Sequence, residues 1–143
     1  MLVKTIPDSW LGFVHATLRV MTGLLFFEHG TAKLFRFPLT EAYKDGVQLL
    51  SFGGLTASLE FIGGILIVIG LCTRVTSFVL SGMMAVAYFM AHAPKSFFPI
   101  VNMGELAVMF CFVFLYLAIA GAGPYSVDAM WNSPSERPGI LPH

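Results

Sequence analysis

Charge is scarce in this chain. Only 11% of its 143 residues are Asp, Glu, Lys or Arg, while 57% are apolar; soluble domains carry about 25% charged residues. So few charges cannot clothe a water-soluble surface. The eight basic and eight acidic residues cancel, and no basic tract could follow a phosphate backbone, so nucleic acid is not an expected partner. Cysteine is equally sparse. Cys72 and Cys111 form no CxxC pair and no zinc or haem spacing. Placed on helices they lie at different membrane depths, about 14 Å apart at roughly 1.5 Å per residue, beyond the about 7 Å limit for a disulfide. They read as packing residues. There is no HExxH pattern, no phosphate-cradling glycine loop and no GxSxG elbow, so neither a metal site nor a nucleotide site is expected.

What is present is long and apolar. Four runs, 11–29, 55–72, 75–92 and 101–120, each measure 18 to 20 residues, close to the roughly 20 that cross a hydrocarbon core about 30 Å thick. They are continuous, without the alternation of a membrane barrel strand, so helices are predicted. Pro7, Asp8, His15 and Arg19 interrupt what would be a signal-peptide core after Lys4 and no small-x-small site follows it, so the first run is expected to be a retained helix and not a signal peptide. Short connections after the second and third runs make neighbours antiparallel. The expected fold is therefore an all-α membrane protein, a four-transmembrane-helix up-down-up-down bundle. It comprises an N-terminal segment at 1–10, a membrane domain at 11–128 and a polar tail at 129–143. Within the longer second connection, Tyr43, Val47 and Leu50 share helical spacing, so 40–50 reads either as a surface helix or as an irregular loop. Lys4, Arg74 and Arg137 on one side nearly balance Lys33, Arg36, Lys44 and Lys95 on the other, which leaves orientation open.

Polar residues inside the runs carry the functional information. An ionised side chain at mid-membrane costs about 2.5–3.5 kcal/mol on insertion scales, so such residues face inward or find partners. The first run places His15, Arg19, Thr22, His29 and Lys33 on one stripe; the second has Glu60 followed by Gly63 and Gly64, a pair that permits close helix contact. The third carries Tyr88 and His92, the fourth Asn102, Glu105 and Tyr116. Alternating helix direction puts His29, Glu60, His92, Asn102 and Glu105, with Lys33, in the same half of the bilayer, as candidates for ligand binding or proton exchange. Arg19 is expected near mid-depth, received by Tyr116 or by backbone carbonyls. Plainer readings stand beside these: Asn102 and Glu105 as a capping box, Lys33 and Lys95 as snorkelling residues, Tyr88 and Tyr116 as packing aromatics.

Several local patterns recur in one known family. Leu18-Arg19-Val20 with Gly23, His29-Gly30, Lys33-Leu34-Phe35, Glu60 with Gly63-Gly64, Gly70-Leu71-Cys72-Thr73-Arg74, Asn102-Met103-Gly104-Glu105 and Gly121 through Asp128 follow in order. From about Leu18 to Asp128 the chain resembles the DoxX family of bacterial four-helix membrane proteins, related to the DoxD subunit of thiosulfate:quinone oxidoreductase. The resemblance implies the bacterial cytoplasmic (inner) membrane and an association with redox or sulfur metabolism. It assigns no residue to catalysis.

Three functions are open at this point. One is an accessory membrane subunit of an oxidoreductase system that interacts with a quinone, with Phe26, Phe112 and Tyr116 flanking the ring and the His and Glu residues exchanging protons with its oxygens. With no intrinsic cofactor motif, electrons would need a quinone or a redox partner protein. The second is a small carrier for an apolar or weakly acidic molecule, the third a non-catalytic anchor. Lipid is the expected environment and a homo-oligomer a further expected partner. An even number of spans predicts both termini on one side of the membrane. Compartment-specific reporters at the two ends should agree; disagreement would refute four spans.

Overall fold

The structure, a computed structural model, describes residues 7–132. The N-terminal residues 1–6, with Lys4, and most of the expected polar tail, 133–143 with Arg137, lie outside the described residues. Within them no strand occurs.

Helix α1 (Asp8–Phe35) runs for 28 residues and closes on Arg36 in the left-handed conformation, φ 57°. It outlasts the expected 11–29 because Glu28, His29 and Lys33 end the apolar run without being poor helix formers. A loop with one 3-10 turn, Glu41–Tyr43, follows, so the surface helix considered for 40–50 does not form. Helix α2 (Phe52–Ile69) starts earlier than the apolar pattern suggests because the Ser51 hydroxyl caps it, accepting the Gly54 N–H at 3.1 Å. It stops at Gly70, φ 70°, whose N–H and that of Leu71 return to the Leu66 carbonyl. Helix α3 (Thr73–Ala87) continues into a π-helical turn, Tyr88–His92.

The fourth expected run, 101–120, is broken. A short α4 (Pro99–Asn102) ends at Met103, φ 58°, and α5 (Glu105–Ala120) begins two residues later. The cause is Asn102, 1% exposed, whose Oδ1 accepts the Gly104 N–H at 2.7 Å and whose amide donates to the Ser96 carbonyl at 2.8 Å. That side chain competes with the helix for its own backbone. After Ala120 the chain turns back and forms α6 (Val127–Asn132) where a polar tail was expected from 129.

Polarity is inverted relative to a soluble domain. Arg19, Thr22, Glu60, Ser77, Ser81 and Asn102 are buried, while Leu11, Leu18, Leu25, Ile62, Ile65, Phe78, Val79, Phe112 and Ile119 are exposed along the helices. An apolar exterior of this extent suits lipid and not water. Three helical stretches, Ser9–Phe35, Phe52–Ile69 and Thr73–His92, are long and apolar enough to cross a membrane; Glu105–Ala120 is apolar but shorter.

The core is aromatic and central. Phe26 packs edge-on against Phe110 and Phe114, at 5.1 and 4.8 Å between centroids, and Ile67, Leu80, Met84 and Leu117 surround them. Helix α1 lies closest to α2, through backbone and not through side-chain tips. A Cβ on Gly30 would stand 2.5 Å from the Phe61 nitrogen, one on Gly64 2.7 Å from the Phe27 Cα, and one on Gly23 2.9 Å from the Val68 nitrogen. These pairings run in opposite directions along the two helices, so α1 and α2 are antiparallel. Gly63 faces elsewhere: its Cβ would meet the Leu80 methyls at 2.9 Å, a contact a side chain can relieve. Of the two glycines picked from the sequence, Gly64 carries the α1–α2 contact and Gly63 the α2–α3 contact. Gly64→Ala should therefore lower the midpoint of thermal unfolding in detergent, costing about 1–3 kcal/mol as overpacking does. Gly63→Ala should cost less, and Gly82→Ala, which meets open space, should be neutral or stabilising. Equal behaviour of the three would refute the backbone contact.

Candidate functional site

Where α1 ends, α2 begins and α3 ends, the interior opens into a cavity of about 500 Å³. Helix α1 supplies Phe26, His29 and Lys33; α2 supplies Phe52, Thr56 and Glu60; α3 and its π-turn supply Met84, Ala87, Met90, Ala91 and His92. Met103, Leu106, Ala107 and Phe110 close the far side and Tyr43 reaches in from the 3-10 turn.

The cavity holds an ion pair. Lys33 Nζ donates to Glu60 Oε1 at 2.6 Å, with side chains 14% and 4% exposed. The same ammonium lies 5.4 Å from the centroid of the Tyr43 ring, a cation–π contact. Lys33 therefore turns inward and does not snorkel. Glu60 Oε2 is buried without a hydrogen-bond partner. His29 stands edge-on to Phe110 at 6.1 Å. His92 Nδ1 donates to the Asn102 carbonyl at 3.0 Å, which leaves Nε2 of the neutral ring as an acceptor.

Of the residues expected to share one pocket, His29, Lys33, Glu60 and His92 line the cavity. Asn102 stands beside it as an organiser: its carbonyl holds His92 and its amide reaches the Tyr88 hydroxyl at 3.3 Å. Tyr88 stacks on His92, 6.3 Å between centroids, and does not line the cavity. Glu105 is the correction. It is exposed in the first turn of α5, outside the cavity lining, where its charge complements the helix dipole. The break at Met103 and Gly104 redirects it, and no apolar periodicity signals such a break. Of the expected ring-flanking residues, Phe26 lines the cavity, whereas Phe112 is exposed on α5 and Tyr116 lies at the other end. Thr56, Tyr43 and the methionines escaped the sequence reading; Thr56, one turn before Glu60 on the same face, carried a usable signal.

The opposite end is polar too, but closed. Arg19, 1% exposed, donates to four backbone carbonyls: Ile67 and Val68 at 2.6 Å each, Tyr125 at 2.5 Å and Ala122 at 3.0 Å. Carbonyls, and not Tyr116, receive it. Tyr116 pairs instead with His15 Nδ1 at 3.0 Å, while His15 Nε2 donates to the Gly121 carbonyl at 2.9 Å. Arg74 covers the free carbonyls at the end of α5, on Ala118, Ile119 and Ala120. The Asp128 carboxylate takes the Cys72 and Thr73 N–H groups at 2.7 and 2.9 Å, capping α3. A cleft of about 410 Å³ lies here, but Arg74 and Asp128 are already engaged.

The segments that form this clamp, 70–74 and 121–128 with Arg19, are among those on which the family resemblance rested. The DoxX family model matches residues 14–93. The chain belongs to the DoxX family. As a DoxX protein it is a membrane protein, and its relatives span nearly the same length. An "Uncharacterized protein" of Haemophilus influenzae is 40% identical over 127 residues, covering 85% of this chain and 92% of that protein. The "Inner membrane protein YqjF" of Escherichia coli is 32% identical over 123 residues, 80% and 88% respectively. The Bacillus subtilis protein named "Putative oxidoreductase CatD" is 30% identical over 112 residues, 78% and 81%. No solved structure matches this DoxX chain.

Asp128 lies outside the apolar helices and its ionisation can be read. Partial burial opposes its charge, but the Thr73 and Cys72 N–H groups, with Arg19 behind them, outweigh that and hold the carboxyl below its usual range. A lowered folded value means that the stabilisation is complete above about pH 4, the ordinary aspartate value, and is lost as pH falls through the folded value. Asp128→Ala should thus cost about 0.5–2 kcal/mol at neutral pH, as loss of a helix cap does. In thermal melts the gap to the native protein should close on acidification below about pH 4; a gap independent of pH would refute the charged cap.

Proposed function

We propose that this DoxX protein is a four-span, up-down-up-down membrane subunit of the bacterial inner membrane that holds the ring of a quinone in the cavity of Glu60 and Lys33, as the accessory part of an oxidoreductase system. One observation carries the reading: the cavity joins exposed apolar side chains to a nearly buried ion pair. Phe52, Met90, Met103 and Leu106 line it and are exposed, so in a bilayer they meet acyl chains. Glu60 and Lys33 are nearly buried, beside the buried rings of Phe26 and Phe110. A molecule with a polar ring and a hydrocarbon tail, entering from lipid, fits this combination better than a water-borne metabolite.

The side chains divide the work. Phe26 and Phe110 offer aromatic edges and faces to a ring, Met84, Met90 and Met103 adapt to its outline, and Lys33, Glu60, His29 and His92 hold or move protons at its oxygens. Four spans are supported by the apolar exterior and by α5 packing antiparallel to α3, which Ser81 bonded to the Cys111 carbonyl and Arg74 bonded near Ala118 both indicate. The inner-membrane location is supported by the name of the Escherichia coli relative, and the redox association by the name of the Bacillus subtilis one.

Protein purified in mild detergent and extracted with organic solvent should release quinone in near-stoichiometric amount. Ala91→Trp, which narrows the mouth, should weaken binding of added decyl-benzoquinone at least tenfold without lowering thermal stability. Release of a different metabolite would favour a carrier, and release of nothing with no binding of the added quinone would leave an anchor.

A further inference from the structure

The cavity's hydrogen-bonding inventory is lopsided. Glu60 lines it with one oxygen held by Lys33 and the other, Oε2, buried and without a donor. A buried acceptor left unpaired is costly, and more so for a charged group. His92 adds a second acceptor, because its Nδ1–H is committed to the Asn102 carbonyl and the neutral ring keeps only the lone pair on Nε2. On the donor side, the Lys33 ammonium is drawn to Glu60 Oε1 and to the Tyr43 face, so a ligand carbonyl must compete for it. His29 and the Tyr43 hydroxyl serve either role, and the Thr56 O–H is already given to the Gly53 carbonyl.

We propose that the preferred occupant is a hydrogen-bond donor: a ring carrying a hydroxyl, as in a quinol or an alkylphenol, and not the carbonyl-only quinone. Its O–H donates to Glu60 Oε2 and satisfies the one buried carboxylate oxygen that is left without a partner among the described residues. The proposal deepens the reading of the cavity as a ring site and rests on it. Site selectivity of this kind is strong, because an analogue lacking the hydroxyl leaves the buried acceptor unpaired.

The test compares three ligands on the detergent-purified full chain under anaerobic conditions: decyl-benzoquinol, decyl-benzoquinone and the dimethyl ether of the quinol, with binding followed by calorimetry. The quinol should bind roughly 10-fold or more tighter than either of the others, the value of a hydrogen bond to a charged acceptor. In Glu60→Gln the amide oxygen takes over Lys33 and an NH₂ stands where Oε2 stood, so the preference should vanish or reverse in favour of the quinone. Equal binding of quinol and quinone, or an ether that binds as well as the quinol, overturns the donor requirement while leaving the ring site intact. Binding of none of the three removes the ring site and the donor requirement together. Should Glu60→Gln fail to fold, the comparison on the native protein decides by itself.

Discussion

Everything at both ends of this molecule hangs on the closeness of two backbones. Gly23 and Gly30 of α1 bring that helix against Phe61, Gly64 and Val68 of α2 at distances that admit no Cβ. One turn beyond Gly30 stands Lys33, and next to Phe61 stands Glu60; the seam therefore delivers ammonium to carboxylate at 2.6 Å. One turn before Gly23 stands Arg19, which the same seam delivers to the last carbonyls of α2. A bulkier contact would lift α1 away and leave charges in an apolar setting without partners, where breaking a buried pair costs about 3–5 kcal/mol.

The two polar ends are built from similar residues to opposite effect. At the Arg19 end each charge is consumed by backbone: guanidinium groups take carbonyls, and a carboxylate takes N–H groups. The charged groups there are thus engaged. At the Glu60 end, side chain meets side chain, and the pairing is incomplete. Among the buried polar atoms of the described residues without a partner, which include the Thr40, Thr73 and Ser77 hydroxyls, Glu60 Oε2 is the one that belongs to a carboxylate, and Glu60 lines the larger cavity.

Much of this was legible in the residues themselves. The all-helical fold and the places of the long apolar helices follow from apolar run length, because lipid demands long continuous apolar helices. The gathering of His29, Lys33, Glu60 and His92 follows from antiparallel succession alone. What escaped depends on single side chains acting against the periodic pattern. Asn102 breaks a run that hydropathy reads as continuous, and Glu105 is carried out of the cavity with the break. Ser51 and Gly70 move both ends of α2 by local hydrogen bonding that apolar counting does not register. The choice between Gly63 and Gly64 turned on which face each presents, one residue apart, which composition cannot resolve. The Arg19 cage was foreseen only as one of two options, because backbone acceptors carry no sequence signature.

The break at Asn102 also sets a length. As one helix, 99–120 would rise about 33 Å, enough for a hydrocarbon layer of about 30 Å. Divided, it leaves α5 with 16 residues and a rise of about 24 Å. The residues released from the run turn beside His92, and the first turns of α5 wall the cavity through Leu106, Ala107 and Phe110.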